Sequence, residues 1–295
     1  MNTINSSKWE DNIQWETSDH TSNTAKNVAS IQQNEITTES EWLREKDMYD
    51  NIWKVGINNH ITANNIELKS AIYNPNNPEH HTSCLCMDER TINFGLNLAG
   101  SGILLADIIG FYQLVDLIKR INRKSEEKTG RKKIEKITSH ESCGAAALYC
   151  KYKKLSWDTD DHGKEFSKKL AEALSLPYEH LELSTPHTAR SIYVDFTGNF
   201  SEEPKSLPNG YNIAANKDFL DENPFIKDHI TDQVWIAYSI AKLDKVHWDK
   251  INKDNPFFVF LVQNKWVEID EYILSAIKEL EWTNKGEIKI DYLTI

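Results

Sequence analysis

Two short stretches concentrate the side chains able to do metal or acid–base chemistry. The first is Cys86-Met87-Asp88-Glu89-Arg90, a C-x-D-x-R pattern, and the second is His140-Glu141-Ser142-Cys143, an H-x-x-C pattern followed by Gly144. Thiolate sulfur and imidazole nitrogen are preferred ligands of zinc, in a tetrahedron whose catalytic version keeps one position for water. Cys86, His140 and Cys143 supply three such ligands and leave the fourth position open. Two thiolates cancel the charge of Zn2+, so its water is acidified less than in a three-histidine site, and a nearby proton acceptor becomes useful. Asp88 suits that role, provided Arg90 fixes its carboxylate through a charge-assisted pair. Released, the carboxylate would swing onto the metal and displace the water.

Side chains so far apart in sequence meet only if the fold brings them together. Short runs predict strands over residues 81–86, 134–139, 191–196, 257–262 and 288–293, and 91–98 runs on into the Ala99-Gly100-Ser101-Gly102 turn. Between them, helical patterning covers 41–55 (with Ser40 as cap and Trp42, Leu43, Tyr49 and Trp53 near one face), 103–121, 145–153, 166–174, 232–243 and 268–280. A basic loop is expected from Asn122 to Lys133 and a polar connection after the turn at Thr197-Gly198-Asn199. Alternating strands and helices predict an α/β fold, a mostly parallel β-sheet flanked by helices. Both motifs follow a predicted strand, and in such sheets the carboxyl ends of neighbouring strands share one crevice. No repeat period is visible.

Residues 1–38 are rich in Asn, Ser, Thr and Gln, too polar to offset their ordering entropy, and read as a flexible tail. The alternative is an arm anchored on a partner by Trp9 and Trp15. The expected division is this tail, a metal domain over 39–200, and a C-terminal extension over 201–295 packed on the same sheet. The 295-residue chain carries 45 acidic against 34 basic residues, a net charge of -11, which argues against nucleic-acid binding. No run is long and apolar enough for a membrane span, and the first thirty or so residues lack the apolar core of a secretory signal. Four cysteines, Cys84, Cys86, Cys143 and Cys150, in a chain of this kind suggest metal binding in a reducing cytoplasm rather than disulfides.

The two motifs, in this order and with Gly144 after the second, resemble those of the β-class carbonic anhydrases. The resemblance covers roughly residues 80–200 and includes the Ala99-Gly100 turn and the strand Ile192-Tyr193-Val194-Asp195-Phe196-Thr197-Gly198. It implies that Cys86, His140 and Cys143 hold Zn2+ and that Asp88 and Arg90 form a catalytic dyad. The implied reaction is attack of zinc-bound hydroxide on CO2 to give bicarbonate, with proton transfer to solvent. The family also implies a homodimer or higher even oligomer, with residues 41–55 as the helix that wraps the partner. This chain departs from the pattern in the polar His80-His81-Thr82-Ser83 before Cys86 and in Met87 and Glu89 within the motif. COS or CS2 therefore stand beside CO2 as substrates, and a non-catalytic zinc module of the same fold is the alternative from a different class.

Plainer readings accompany each residue. Buried cysteines serve often as small hydrophobes, and Cys150 is assigned to the core. Cys84 is the candidate fourth ligand of a closed structural site, although residues two apart on a strand lie about 6–7 Å from each other. Asp88 and Arg90 alone would be an ordinary salt bridge. His80, His81, His162, His180 and His187 read as surface or loop histidines, and Arg131, Lys132 and Lys133 as a solvated loop. Gly100-Ser101-Gly102 lacks the residues of a phosphate loop and reads as a tight turn whose N–H groups could receive bicarbonate.

Overall fold

The computed structural model describes residues 43–66, 83–88, 91, 95–130, 132, 134–155, 159–183, 189–197, 207–215, 217–220, 225–243 and 251–295. The expected tail, Ser40, Arg131, Lys133 and Arg90 lie outside them. Two helices open the described chain, α1 (43–55) and α2 (Ile57–Ala63). Strands β1 (Ser83–Leu85), β2 (Gly95–Asn97), β3 (Lys136–His140) and β4 (Tyr178–Leu181) form one sheet in the order β2-β1-β3-β4, every pair parallel. Strands β5 (Ser191–Asp195), β6 (Tyr211–Ala214), β7 (Phe257–Gln263) and β8 (Ile288–Thr294) form a second sheet, β6-β5-β7-β8, again wholly parallel. Helices α3 (Ile103–Ile109) and α4 (Phe111–Thr129) link β2 to β3, and α5 (Gly144–Lys153) and α6 (Thr159–Leu174) link β3 to β4. In the second half, α7 (Lys217–Leu220) and α8 (Phe225–Leu243) link β6 to β7, and α9 (Glu271–Thr283) links β7 to β8.

The α/β class expected from the alternation is therefore observed, as two parallel sheets rather than one. The division of the chain moves accordingly. Strand β5, placed with the metal domain by a boundary at residue 200, is an inner strand of the second sheet, between β6 and β7. The stretch after 200 supplies the other three strands of that sheet instead of extending the first.

Sheets covered on both faces need strands that are apolar on both sides. All five residues of β5 and the first six of Phe257–Gln263 are buried. On one face, Phe258, Phe260 and Val262 meet Tyr49, Ile52 and Ile57 of the N-terminal helices. On the other, Phe257 meets Tyr238 of α8 at a ring separation of 5.9 Å. Helix α1 buries Glu45, Tyr49 and Ile52, one helical face at i, i+4 and i+7, while Leu43 and Trp53, expected on its inner face, are 53% and 42% exposed. Tyr49 stacks on Phe258 at 5.7 Å, donates to Asn209 O at 2.8 Å and accepts the N–H of Arg190 at 3.1 Å. The helix thus lies on the second sheet of its own chain.

The predicted helix over 103–121 divides at Gly110, whose φ of 98° ends α3 and starts α4 in a new direction. Helix α4 then continues through the expected basic loop to Thr129, burying Leu114, Val115, Leu117 and Ile118 and leaving Asp116, Lys119, Arg123, Lys124, Glu126 and Glu127 to solvent. No helix among the described residues is long and apolar enough to cross a membrane.

Candidate metal centre

Each motif leaves the end of a buried strand. In β1 all three residues are buried, and Leu85 O, the last carbonyl, accepts Leu98 N–H at 2.9 Å. The chain then turns through Cys86 and Asp88 under the control of Thr91. Its hydroxyl donates to Cys86 O at 3.0 Å and Asp88 O at 2.8 Å, and its N–H donates to Asp88 O at 3.0 Å. Strand β3 ends on His140. Ser142 follows with a left-handed φ of 54°, a conformation costly to a residue with a Cβ. The Asp160 carboxylate of α6 holds that turn, accepting Ser142 N–H at 3.0 Å and Cys143 N–H at 3.4 Å. Cys143 is then the N-cap residue of α5, with its side chain left out of capping.

These turns bring Cys86, His140 and Cys143 together, all buried, with their ligand atoms within 4.8 Å of one another. The two Sγ atoms are 3.8 Å apart. At a metal–sulfur distance of about 2.3 Å, two sulfurs of a tetrahedral zinc site lie about 3.8 Å apart, so the pair has the spacing a metal requires. The His140 ring is oriented by Nδ1, 2.8 Å from Glu141 O, while its buried Nε2 has no hydrogen-bond partner. A backbone carbonyl on one ring nitrogen with the other kept bare is the usual posture of a metal-ligating histidine.

The electrostatics agree. The hydrogen bond to Cys143, burial and the charge of Cys143 hold the Cys86 thiol well above its ordinary pKa. Burial alone would lower the His140 pKa; its interaction with Cys86, the negative charge of Asp88 and the hydrogen bond to Glu141 O outweigh it and raise the value to about 9. In the absence of a cation Cys86 and His140 therefore retain protons, which a bound metal ion displaces.

Asp88 is buried, with Oδ2 3.7 Å from His140 Nε2. The carboxylate thus lies beside the three ligands without belonging to the group. Cys84, weighed as a fourth sulfur, points its thiol to Ser101 O at 3.6 Å, and burial pushes its pKa up to about 12. It too stands outside the trio. Gly100, with a φ of 59°, donates its N–H to Cys86 Sγ at 3.2 Å, while Ala99 N–H goes to Gln233 Oε1 and Ser101 N–H to Leu98 O. Of the donors suggested for bicarbonate, those of Gly100 and Ser101 are thus committed within the protein. His180 pairs with Ser139 at 2.8 Å, and His80, His81 and His187 lie outside the described residues.

A small cavity opens at Cys86 and Asp88, and Met87, Ala145, Tyr211 and Ile240 form its largely apolar wall. Tyr211 and Ile240 come from the second half and carried no sequence signal, being neither in a motif nor near one. The same holds for Asp160 and Gln233, which act on backbone; Thr91, which does so too, directly follows the first motif but carries none of its pattern. Comparison with protein-family models, curated proteins and solved structures returns no match to this chain.

Proposed function

We propose that the centre binds one Zn2+ and that the chain is a zinc-dependent lyase of the β-class carbonic anhydrase type, hydrating CO2 to bicarbonate. One observation carries the reading: two buried sulfurs at metal-ligand spacing face an unbonded imidazole nitrogen, with a carboxylate beside them at the mouth of a small apolar cavity. Cys86, His140 and Cys143 hold the ion. When bound, zinc supplies Lewis-acid activation of water near neutral pH. Asp88 would accept a hydrogen bond from the attacking water and fix its direction, and the resemblance assigns to Arg90 the role of keeping this carboxylate off the ion. Met87, Ala145, Tyr211 and Ile240 exclude bulk water and favour a small uncharged substrate.

The free state of all four cysteines suits a reducing cytoplasm. We carry over from the resemblance an even-numbered homo-oligomer as the working assembly. COS and CS2 share the chemistry of the cavity and are the alternative substrates. A catalytically silent zinc module of the same fold is the remaining reading.

Metal analysis and rapid CO2 hydration assays test the proposal together. Wild type should carry about one zinc per chain, and Cys143→Ala should lose it. Asp88→Asn should keep its zinc while kcat/KM falls on the order of a hundredfold, the usual scale for a lost acid–base group. A zinc-loaded wild type no faster than buffer between pH 6 and 9 or so would refute CO2 hydration, and sulfide release from COS or CS2 by that preparation would reassign the substrate.

A further inference from the structure

We propose that the C-terminal half is a second copy of the metal-binding half that lacks the ligand set and serves as the clamp and wall of the first half's centre. Both halves run strand, edge strand, helices, strand, a helical link and strand, the link being α5 and α6 in the first half and α9 alone in the second, with the orders β2-β1-β3-β4 and β6-β5-β7-β8 and only parallel pairs. Register makes the correspondence specific. Leu98 N–H donates to Leu85 O at the end of β1, and Ala215 N–H donates to Asp195 O at the end of β5. Cys86 therefore corresponds to Phe196. Cys84 pairs with Ile137 as Val194 pairs with Leu261, which sets His140 against Asn264. Cys143 caps α5 where Asp270 caps α9.

None of the three counterparts is available to a metal. Phe196 has no ligand atom. Asn264 Oδ1 accepts Trp266 N–H at 2.9 Å, and Asp270 accepts from Tyr272 and Ile273 N–H while pairing with Lys227 at 2.6 Å. Among the described residues, Cys86, His140 and Cys143 form the one group placed to hold an ion.

What the second half supplies instead is support. Fully buried Gln233 of α8 accepts Ala99 N–H at 2.7 Å, fixing the turn whose next N–H reaches the Cys86 sulfur. Two turns along the same helix, Ile240 lies so close to Gly144 that a Cβ there would sit 3.0 Å from its Cδ1. Helix α8 thus touches both the turn behind Cys86 and the start of the helix that follows Cys143. From β6, Asn212 N–H donates to Met87 O at 3.0 Å, and Tyr211 walls the cavity. Gln233 and Ile240 are positioning residues that act through backbone, and neither is a ligand.

The inference rests on the metal reading of the preceding subsection, and zinc affinity by chelator competition on the full chain separates the two. Gln233→Leu removes the acceptor and should weaken zinc binding about tenfold, the lower end of losses for groups behind a metal's ligands. Gln233→Glu keeps an acceptor oxygen and should stay within about threefold of wild type, well inside that loss. Hydrogen exchange on the unmodified protein, with and without zinc, provides a measurement independent of any variant's folding. Zinc should slow exchange in 99–103, in 144–147 and also in 211–214 and 230–241. A folded Gln233→Leu chain with wild-type affinity, zinc protection confined to the first half, or uptake of two zinc ions per chain would each overturn the clamp. A chain that takes up no zinc overturns the metal reading and this inference with it.

Discussion

His229 of α8 is fully buried, neither ring nitrogen has a hydrogen-bond partner, and burial lowers its pKa to about 3. In the unfolded chain it titrates near the ordinary histidine value of about 6.5. Between those values the unfolded state binds the proton and the folded state does not, so stability falls as the pH drops below about 6.5. For values of about 3 and 6.5, the loss from pH 7.5 to pH 5 is about 2 kcal/mol, at about 1.4 kcal/mol per unit. For a folded region of this size that is on the order of 5 °C in Tm. Asp232, raised to about 6 by burial and by Asp228, has the opposite trend, but it is common to wild type and variant. The perturbation is His229→Leu, which removes two unpartnered polar atoms along with the titration. Thermal unfolding at both pH values should show wild type losing about 5 °C more than the variant on acidification. Equal losses in the two proteins would refute the argument that His229 is held neutral. The position matters to the site, because Gln233 lies one helical turn further along the same helix.

Two further substitutions test the framework. Gly100→Ala would set a Cβ 2.6 Å from Ile103 Cγ2 and 3.3 Å from Ala145, at a φ of 59°; left-handed strain of about 1–2 kcal/mol and overpacking of about 1–3 kcal/mol should lower Tm by several degrees and weaken metal retention. Tyr49→Phe keeps the ring against Phe258 but leaves Asn209 O and Arg190 N–H without the hydroxyl. It should cost about 1–3 kcal/mol, read as a lower urea midpoint with an unchanged m-value.

The features legible in the sequence were those carried by residue type. Cys86, His140 and Cys143 announced themselves because few side chains bind zinc, and the structure brings those three together. The apolar runs at Ile192-Tyr193-Val194 and Phe257–Gln263 gave the second sheet's inner strands. Strands β2, β4 and β6 escaped notice because each has only three or four residues of mixed polarity, GLN, YEHL and YNIA. Their partners, rather than their own pattern, make them strands. The inner face of α1 differs from the expected one because a polar residue is buried there: Glu45, whose Oε2 accepts Asn209 N–H at 2.8 Å, takes the place expected for Leu43 or Trp53. The duplication left no sequence trace because β-strand order is fixed by hydrogen bonds and helix placement, which many side chains satisfy. Only the ligand positions required particular residues, and those are the ones the second half lacks.

That asymmetry bears on how the centre works. The Cys86 thiol sits well above its ordinary pKa, so the protein by itself does not hold that sulfur ionised. Ionisation has to come from the cation, and the chain's contribution is geometry. The geometry is set by Thr91 on the carbonyls of Cys86 and Asp88, by Asp160 on the N–H groups of Ser142 and Cys143, and by Gln233 on the N–H of Ala99. Each acts on backbone around a ligand and leaves the ligand atoms themselves free. A centre built this way separates the residues that bind from those that position. Substituting a positioning residue should therefore grade metal affinity, while substituting a ligand should abolish it.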